Sequence, residues 1–174
     1  MNSKFQETLK QIEFRTVHCD QVVTYGYNEL FADRRVIVFS LTNTRTICSG
    51  RQVVDFGKHY AKFQEIGIDT VYAVDSTDWL VAPWMSKRSK HIIGLPDKDM
   101  SFVKSLAEHY NYQKQTFDLA RYWQYIVIIN KGEPEKIWHN PFNENAPLAI
   151  LKDPSYRYRK LSAETVYKYL VDNK

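Results

Sequence analysis

Cys48 is the residue whose type and position are most suited to chemistry. It lies where a polar turn, LTNTRT at 41–46, passes into a segment with helical periodicity. The first amides of a helix have no internal partner, and its N-terminus carries partial positive charge, so a thiolate is favoured there over a thiol. The position indicates a nucleophilic or redox-active cysteine. The alternative is a small buried residue packed against the preceding strand, as most free cysteines are.

The composition of the chain indicates which kinds of site are not expected around that thiol. The chain has two cysteines, Cys19 and Cys48, with no C-x-x-C pair, and its five histidines are scattered. We therefore expect no disulfide framework, no metal and no cofactor. A net charge of +4 over 174 residues is too mild to indicate a nucleic-acid partner. The basic runs at 87–90 and 157–160 are interpreted as solvated loops.

The N-terminus has no apolar leader, and no long apolar span follows it. We therefore expect a cytoplasmic protein with no membrane contact, in a reducing setting where a thiol stays functional.

The elements that must position Cys48 follow from hydrophobic periodicity. An apolar run at 36–39 predicts a buried strand. The next segment, which ends at Gly67, predicts a helix with an apolar stripe. That stripe consists of Val53, Val54, Phe56, Tyr60, Phe63 and Ile66. A second apolar run at 70–74 completes a parallel βαβ unit.

The rest of the chain supplies further strands and helices. Before the βαβ unit, the patterns predict a short helix or arm at 1–14, an edge hairpin at 14–23 and a helical turn capped by Asn28. After it, they predict helices at 79–86 and 102–110, strands at 91–95 and 124–129, a turn at 130–134 and a return strand from 136. The chain ends with a long loop at 140–160 and a last helix capped by Ser162. We expect one domain over 1–174, with 1–20 as an N-terminal arm. The fold class is an α/β sandwich with helices on both faces of a mixed sheet. Cys48 falls at the carboxyl edge of that sheet, where such folds place their sites.

The chain resembles the peroxiredoxins, thiol peroxidases of the redoxin group, over residues 22–170. The matching pieces are NELFA at 28–32, VIVF at 36–39, CS at 48–49, FQEIGIDTVY at 63–72, Trp84, LPD at 95–97, RYWQY at 121–125, EPE at 133–135 and PF at 141–142. They are most similar to the atypical two-cysteine branch and to bacterial peroxiredoxin–glutaredoxin fusions.

The resemblance implies a thioredoxin-like three-layer fold, an antioxidant peroxidase and a homodimer. Cys48 occupies the slot of the peroxidatic cysteine, whose thiolate becomes a sulfenic acid on reaction with hydrogen peroxide or an alkyl hydroperoxide. An external thiol, from glutathione, a glutaredoxin or thioredoxin, would return it to the thiol.

The active-site motif departs from the family pattern. With one residue deleted, Thr42 takes the family's proline slot and Thr46 its threonine slot, where a hydroxyl would reach the peroxide or the thiolate. The slot of the family arginine holds Gln124, which carries no charge. An unperturbed thiol with a pKa of about 8.5 is mostly protonated at neutral pH. Arg45 is therefore the preferred substitute cation, with Arg51 and Arg121 as alternatives.

Cys19 is the candidate within the chain for the thiol that resolves the Cys48 sulfenic acid, and an outside thiol reductant is the alternative. Two functions remain open: a one-cysteine-type peroxidase, and a redoxin-fold protein that has lost the chemistry and serves as a redox sensor or binding module. A thioredoxin-type disulfide reductase is disfavoured, because Cys48 is followed by Ser49, Gly50 and Arg51 rather than by a second cysteine.

Overall fold

A mixed sheet forms the centre of the computed structural model, which describes residues 3–18, 20–41, 47–75, 81–111, 123–139 and 161–173. Of Ile47, Cys48, Val81, Ala82 and Ser86 it describes the backbone alone. The elements are α1 (Lys4–Leu9), β1 (Phe14–His18), β2 (Gln21–Tyr25), α2 (Tyr27–Leu30), β3 (Arg35–Leu41), α3 (Ile47–Glu65), β4 (Thr70–Asp75), α4 (Val81–Ser86), β5 (Ile92–Pro96), α5 (Ser101–His109), β6 (Tyr125–Asn130), β7 (Glu133–His139) and α6 (Ala163–Asp172). Within the described ranges, no helix has the length and apolar character needed to cross a membrane.

The sheet has the strand order β5-β4-β3-β6-β7. β3, β4 and β5 run parallel, while β6 and β7 are each antiparallel to the strand before them in that order. β1 and β2 form a separate antiparallel hairpin. The α/β class with a mixed sheet is thus confirmed, and the predicted edge hairpin exists.

Apolar side chains cover both faces of the sheet, as alternation along each strand requires. One face packs against α3, α4 and α6, and the other against α1, α5 and β1. The rings of Phe39 on β3 and Phe56 on α3 stack with centroids 4.4 Å apart. That contact helps hold α3 against the strand that precedes it. The helix ends where Gly67 adopts a φ of +86°, which glycine tolerates without a Cβ penalty.

Three predicted details are wrong. Val54 does not belong to the buried stripe of α3, because 37% of it is exposed. The N-cap of α2 is Gly26 rather than Asn28, and the Gly26 amide donates to the Glu29 carboxylate at 2.9 Å. The turn expected over 130–134 is shorter, because β7 already begins at Glu133. The 140–160 loop lies outside the described residues.

The segment expected to be an N-terminal arm packs into the molecule. Phe5 and Leu9 of α1 are buried, and Phe5 meets Phe102 of α5 edge to face. The Thr16 hydroxyl of β1 donates to the carbonyl of Gly94 in β5 at 2.6 Å. These contacts join the hairpin and the first helix to the main sheet.

Candidate active site

The ends of all five strands of the main sheet that border the candidate site lie at the carboxyl edge of the parallel strands. β3 ends there at Leu41, β4 at Asp75 and β5 at Pro96, while antiparallel β6 begins there and β7 ends there. The main chain enters α3 from the end of β3. The predicted location of the site at this edge therefore agrees with the path of the backbone.

Cys48 is the second residue of α3, so its backbone lies in the first turn of a 19-residue helix. The first turn contains no acidic residue whose negative charge would oppose a thiolate at Cys48. Residues three and four positions further along a helix share a face, which makes Arg51 and Gln52 the nearest helical neighbours of Cys48. Arg51 is exposed, whereas Gln52 is only 7% exposed.

Gln124 precedes β6 at the same edge. The antiparallel pairing places Phe39 opposite Ile126, and continuing the register by two residues brings Gln124 beside Leu41. The Ser40 hydroxyl accepts from the Tyr125 amide at 2.9 Å, which ties the end of β3 to the start of β6. Alternation with Ile126 places Gln124 on the face of the sheet that α3 covers.

Asp75 is an acidic group at this edge that the sequence patterns did not single out. It pairs with Leu41 across β3 and β4, and only 2% of it is exposed. A carboxylate there opposes ionisation of any thiol close to it. The available sequence signal was the position of Asp75 directly after an apolar strand.

Asp97 is a second buried carboxyl group at this edge, on the opposite face of the sheet. It accepts hydrogen bonds from the Phe102 and Val103 amides, both at 3.1 Å, and so holds the start of α5. Burial raises the pKa of Asp97, against the effect of those amides. Burial likewise raises the pKa of Tyr125, and the charges of Asp97 and Asp75 add to that rise. The tyrosine hydroxyl is thus a neutral group at neutral pH.

Arg88 is a cation that sequence reasoning treated as part of a solvated loop. Its guanidinium carbon lies 3.8 Å from the centroid of the Trp84 ring, and it donates to the Trp84 carbonyl at 3.0 Å. A Cβ added to Gly50 in α3 would lie 3.3 Å from Arg88 Nε. A cation therefore lies against α3 at Gly50, which is about 200° around the helix from Cys48. No sequence signal pointed to it, because the contact joins distant segments.

Several predicted site residues lie outside the described residues. They are Cys19, Thr42, Arg45, Thr46 and Arg121. Their roles stay predictions. Of the predicted site residues, the structure describes the backbone of Cys48 together with Arg51 and Gln124, all at the carboxyl edge of the sheet.

Comparison with known proteins shows a similarity to peroxiredoxins. No family model matches the chain. The hybrid peroxiredoxin hyPrx5 of Haemophilus influenzae is 27% identical over 173 residues, which is 98% of this chain and 67% of that protein. A peroxiredoxin of Synechocystis is 25% identical over 146 residues, covering 82% of this chain and 73% of that one. The chain is therefore similar to peroxiredoxins over most of its length. Peroxiredoxins are thiol peroxidases, and this similarity supports an oxidoreductase activity.

Solved structures confirm the thioredoxin-like fold. Reduced Prx3 from Vibrio vulnificus in complex with hydrogen peroxide has a TM-score of 0.68 and 20% identity, covering 98% of this chain and 99% of the other. Peroxiredoxin 5 from Alvinella pompejana has a TM-score of 0.59 and 16% identity, covering 76% and 86%. At these identities the similarity establishes the fold alone.

Proposed function

We propose that Cys48 is the peroxidatic residue of a thiol peroxidase that reduces hydrogen peroxide or alkyl hydroperoxides. The observation that carries the proposal is the place of Cys48 in the first turn of α3, at the carboxyl edge of a peroxiredoxin sheet. The unpaired first-turn amides favour the thiolate there.

The reaction needs few groups. The Cys48 thiolate attacks the terminal oxygen of the hydroperoxide, the O–O bond breaks, and the departing oxygen takes a proton and leaves as water or alcohol. The sulfur becomes a sulfenic acid. Thr46 supplies a hydroxyl to the peroxide or thiolate, and the Gln124 amide donates a hydrogen bond without adding charge.

A cation completes the proposed site. Arg45 is the preferred substitute for the missing family arginine on sequence grounds. Arg51 is the alternative supported by helical geometry, because a residue three positions on lies on the same face as Cys48. Either guanidinium would offset the unfavourable effect of the buried Asp75 carboxylate.

The enzyme is recycled by an outside thiol, from glutathione with a glutaredoxin or from thioredoxin. Cys19 as a resolving residue is the internal alternative. We further propose a cytoplasmic homodimer, as the family resemblance implies.

A redoxin-fold sensor or binding module is the second candidate function. It is favoured by the neutral Gln124, which the family resemblance places in the slot of the arginine. Peroxide turnover decides between the two functions.

The test replaces each cysteine in turn. Cys48→Ser is expected to abolish peroxide consumption coupled to glutathione and glutaredoxin, whereas Cys19→Ser keeps at least about half of it, because the outside thiol does not use Cys19. Circular dichroism checks that both variants are folded. Loss of turnover in Cys19→Ser alone would assign the peroxidatic role to Cys19 instead of Cys48. A wild type without peroxide turnover would contradict the peroxidase and favour the sensor or binding module.

A further inference from the structure

Gln52 is a polar side chain buried on the side of α3 that packs against the sheet. Only 7% of it is exposed, and the nearby helical residues Val53 and Phe56 are fully buried members of the core. Among the residues that the structure describes, none forms a hydrogen bond with the Gln52 amide. Burying an amide without a partner costs free energy, and such groups are rare in native proteins. The Gln52 amide therefore calls for a partner on the side that it faces.

Gln52 shares one stripe of α3 with Cys48, Asp55 and His59. At 100° per residue, the four positions lie within about 60° of one another around the helix axis. Residues four positions apart in a helix have Cβ atoms about 5–6 Å apart. Cys48 is thus the neighbour of Gln52 on the N-terminal side of the stripe, and Asp55 is its neighbour on the C-terminal side.

The polar groups on the C-terminal side of Gln52 are already engaged. Asp55 Oδ2 accepts from the amide of Ala163 in α6 at 2.9 Å, and Asp55 Oδ1 lies 3.6 Å from His59 Nδ1. His59 Nδ1 also lies 2.9 Å from the Asp55 carbonyl oxygen, and His59 Nε2 lies 3.3 Å from the Glu164 carboxylate of α6. These contacts leave the direction towards the first turn of α3 for the Gln52 amide.

The geometry of an α-helix directs the Gln52 side chain towards that first turn. The Cα–Cβ bonds of a helix tilt towards its N-terminus, and long side chains lie over the turn that precedes their own Cα. For Gln52 this is the turn that contains Cys48. The other helical neighbour of Cys48, Arg51, is exposed, so Gln52 is the member of the pair that is withdrawn from water.

We propose that the Gln52 amide donates a hydrogen bond to the Cys48 sulfur and is a further catalytic residue of the peroxidase. This inference deepens the proposed function and rests on it. A glutamine amide offers two N–H donors and no charge. A hydrogen bond to an ionised acceptor is stronger than one to a neutral acceptor, so the bond favours the thiolate over the thiol. Gln52 would thus support the thiolate from within α3 itself.

The hydrogen bond has two opposing effects on the reaction with peroxide. It increases the fraction of Cys48 that is ionised at neutral pH, because it lowers the pKa of the thiol. It also makes the thiolate less nucleophilic, since nucleophilicity falls with pKa with a Brønsted coefficient of about 0.4–0.5. For a change of one unit, a tenfold gain in thiolate is reduced by about threefold, which leaves a net gain of about threefold.

The experiment measures the alkylation of Cys48 by iodoacetamide against pH in the intact reduced protein, with the Cys48 peptide quantified by mass spectrometry. We expect Gln52→Met, which keeps the length of the side chain and removes both donors, to raise the midpoint by about one pH unit. Gln52→Glu, which brings a carboxylate to the sulfur, should raise it further. Gln64→Met makes the same change at an exposed position of α3 and should leave the midpoint unchanged.

Urea denaturation distinguishes this hydrogen bond from a purely structural role. It is carried out one pH unit or more below the alkylation midpoint, where the thiol is protonated. We expect the urea midpoint of Gln52→Met not to fall, because the variant no longer buries an amide. A lower urea midpoint with an unchanged alkylation midpoint would mean that Gln52 only packs in the core, and the inference would be wrong.

The remaining outcomes separate the hydrogen bond from the peroxidase. Equal alkylation midpoints in the wild type, Gln52→Met and Gln52→Glu would overturn the inference, whatever the peroxide activity. Oxidation of Cys48 by hydrogen peroxide at neutral pH should be about threefold slower in Gln52→Met than in the wild type. A wild type whose Cys48 is not oxidised, with the alkylation midpoint still raised in Gln52→Met, would refute the proposed function and retain the hydrogen bond.

Discussion

Gln124 is the residue that the family resemblance predicts to stand in place of an arginine. It lies beside the end of β3 by continuation of the β3–β6 register, on the face that α3 covers. An amide there donates a hydrogen bond but leaves the charge balance of the edge unchanged. Gln124 therefore does not supply the positive charge that would favour a Cys48 thiolate over the thiol.

Gln124→Arg is expected to lower the pKa of Cys48 and to raise its rate of reaction with hydrogen peroxide about tenfold. A positive charge a few ångströms from a thiolate stabilises it, and each unit of pKa changes the thiolate fraction about tenfold when the thiol is mostly protonated. The measurement is the pH dependence of Cys48 alkylation, together with stopped-flow oxidation.

Gln124→Met serves as the matched control, because it keeps the length of the side chain without charge or amide. It should not accelerate oxidation. If the arginine variant changes neither the alkylation profile nor the rate, Gln124 does not face the thiol.

At the scale of elements, α3 is held by three different contacts. Phe56 stacks on Phe39 of the sheet, Asp55 accepts from the first amide of α6, and Gly57 admits the 87–90 turn. The helix that carries Cys48 is thus held by contacts with the sheet, with α6 and with the 87–90 turn.

Gly57→Ala is expected to lower the free energy of unfolding by about 1 kcal/mol or more, because its Cβ would meet Ser89 Oγ at 2.6 Å and Ser89 Cβ at 3.0 Å. Gly50→Ala is the matched control in the same helix. Its Cβ would meet Arg88 Nε at 3.3 Å as the nearest atom, with no contact as short as those at Gly57, so the gain in helix propensity should stabilise the protein by about 0.5–1 kcal/mol. Urea denaturation compares the two variants. Equal shifts would mean that the turn does not pack against α3 at Gly57.

The sequence was sufficient to predict most of the strands and helices, but it did not predict the contacts between them. Apolar periodicity located β3, α3, β4 and β6, because a strand buried on both faces and a helix buried on one leave distinct patterns. Val54 was misassigned because its spacing fits the stripe, and only the packed structure shows that it points to solvent. Arg88 was missed because its partners, Trp84 and Gly50, are assembled by tertiary packing.

At the scale of the whole molecule, the parallel strands bring Cys48, Asp75 and Gln124 to one edge, which the strand order explains. The sequence predicted that edge from the βαβ pattern alone. It did not predict that the edge also carries the buried carboxyl groups of Asp75 and Asp97, since burial depends on how all the layers pack. The predicted contributions of Arg45, Thr46 and Cys19 lie outside the described residues.

The central claim is that this fold makes one of the two cysteines a peroxide-reactive thiol. The most direct measurement treats the intact reduced protein with hydrogen peroxide at neutral pH, traps sulfenic acid with dimedone and quantifies each cysteine by peptide mass spectrometry over time. We predict labelling of Cys48 at least about tenfold faster than of Cys19, because the amides at the start of α3 favour its thiolate. Equal, slow labelling of both cysteines would contradict the account.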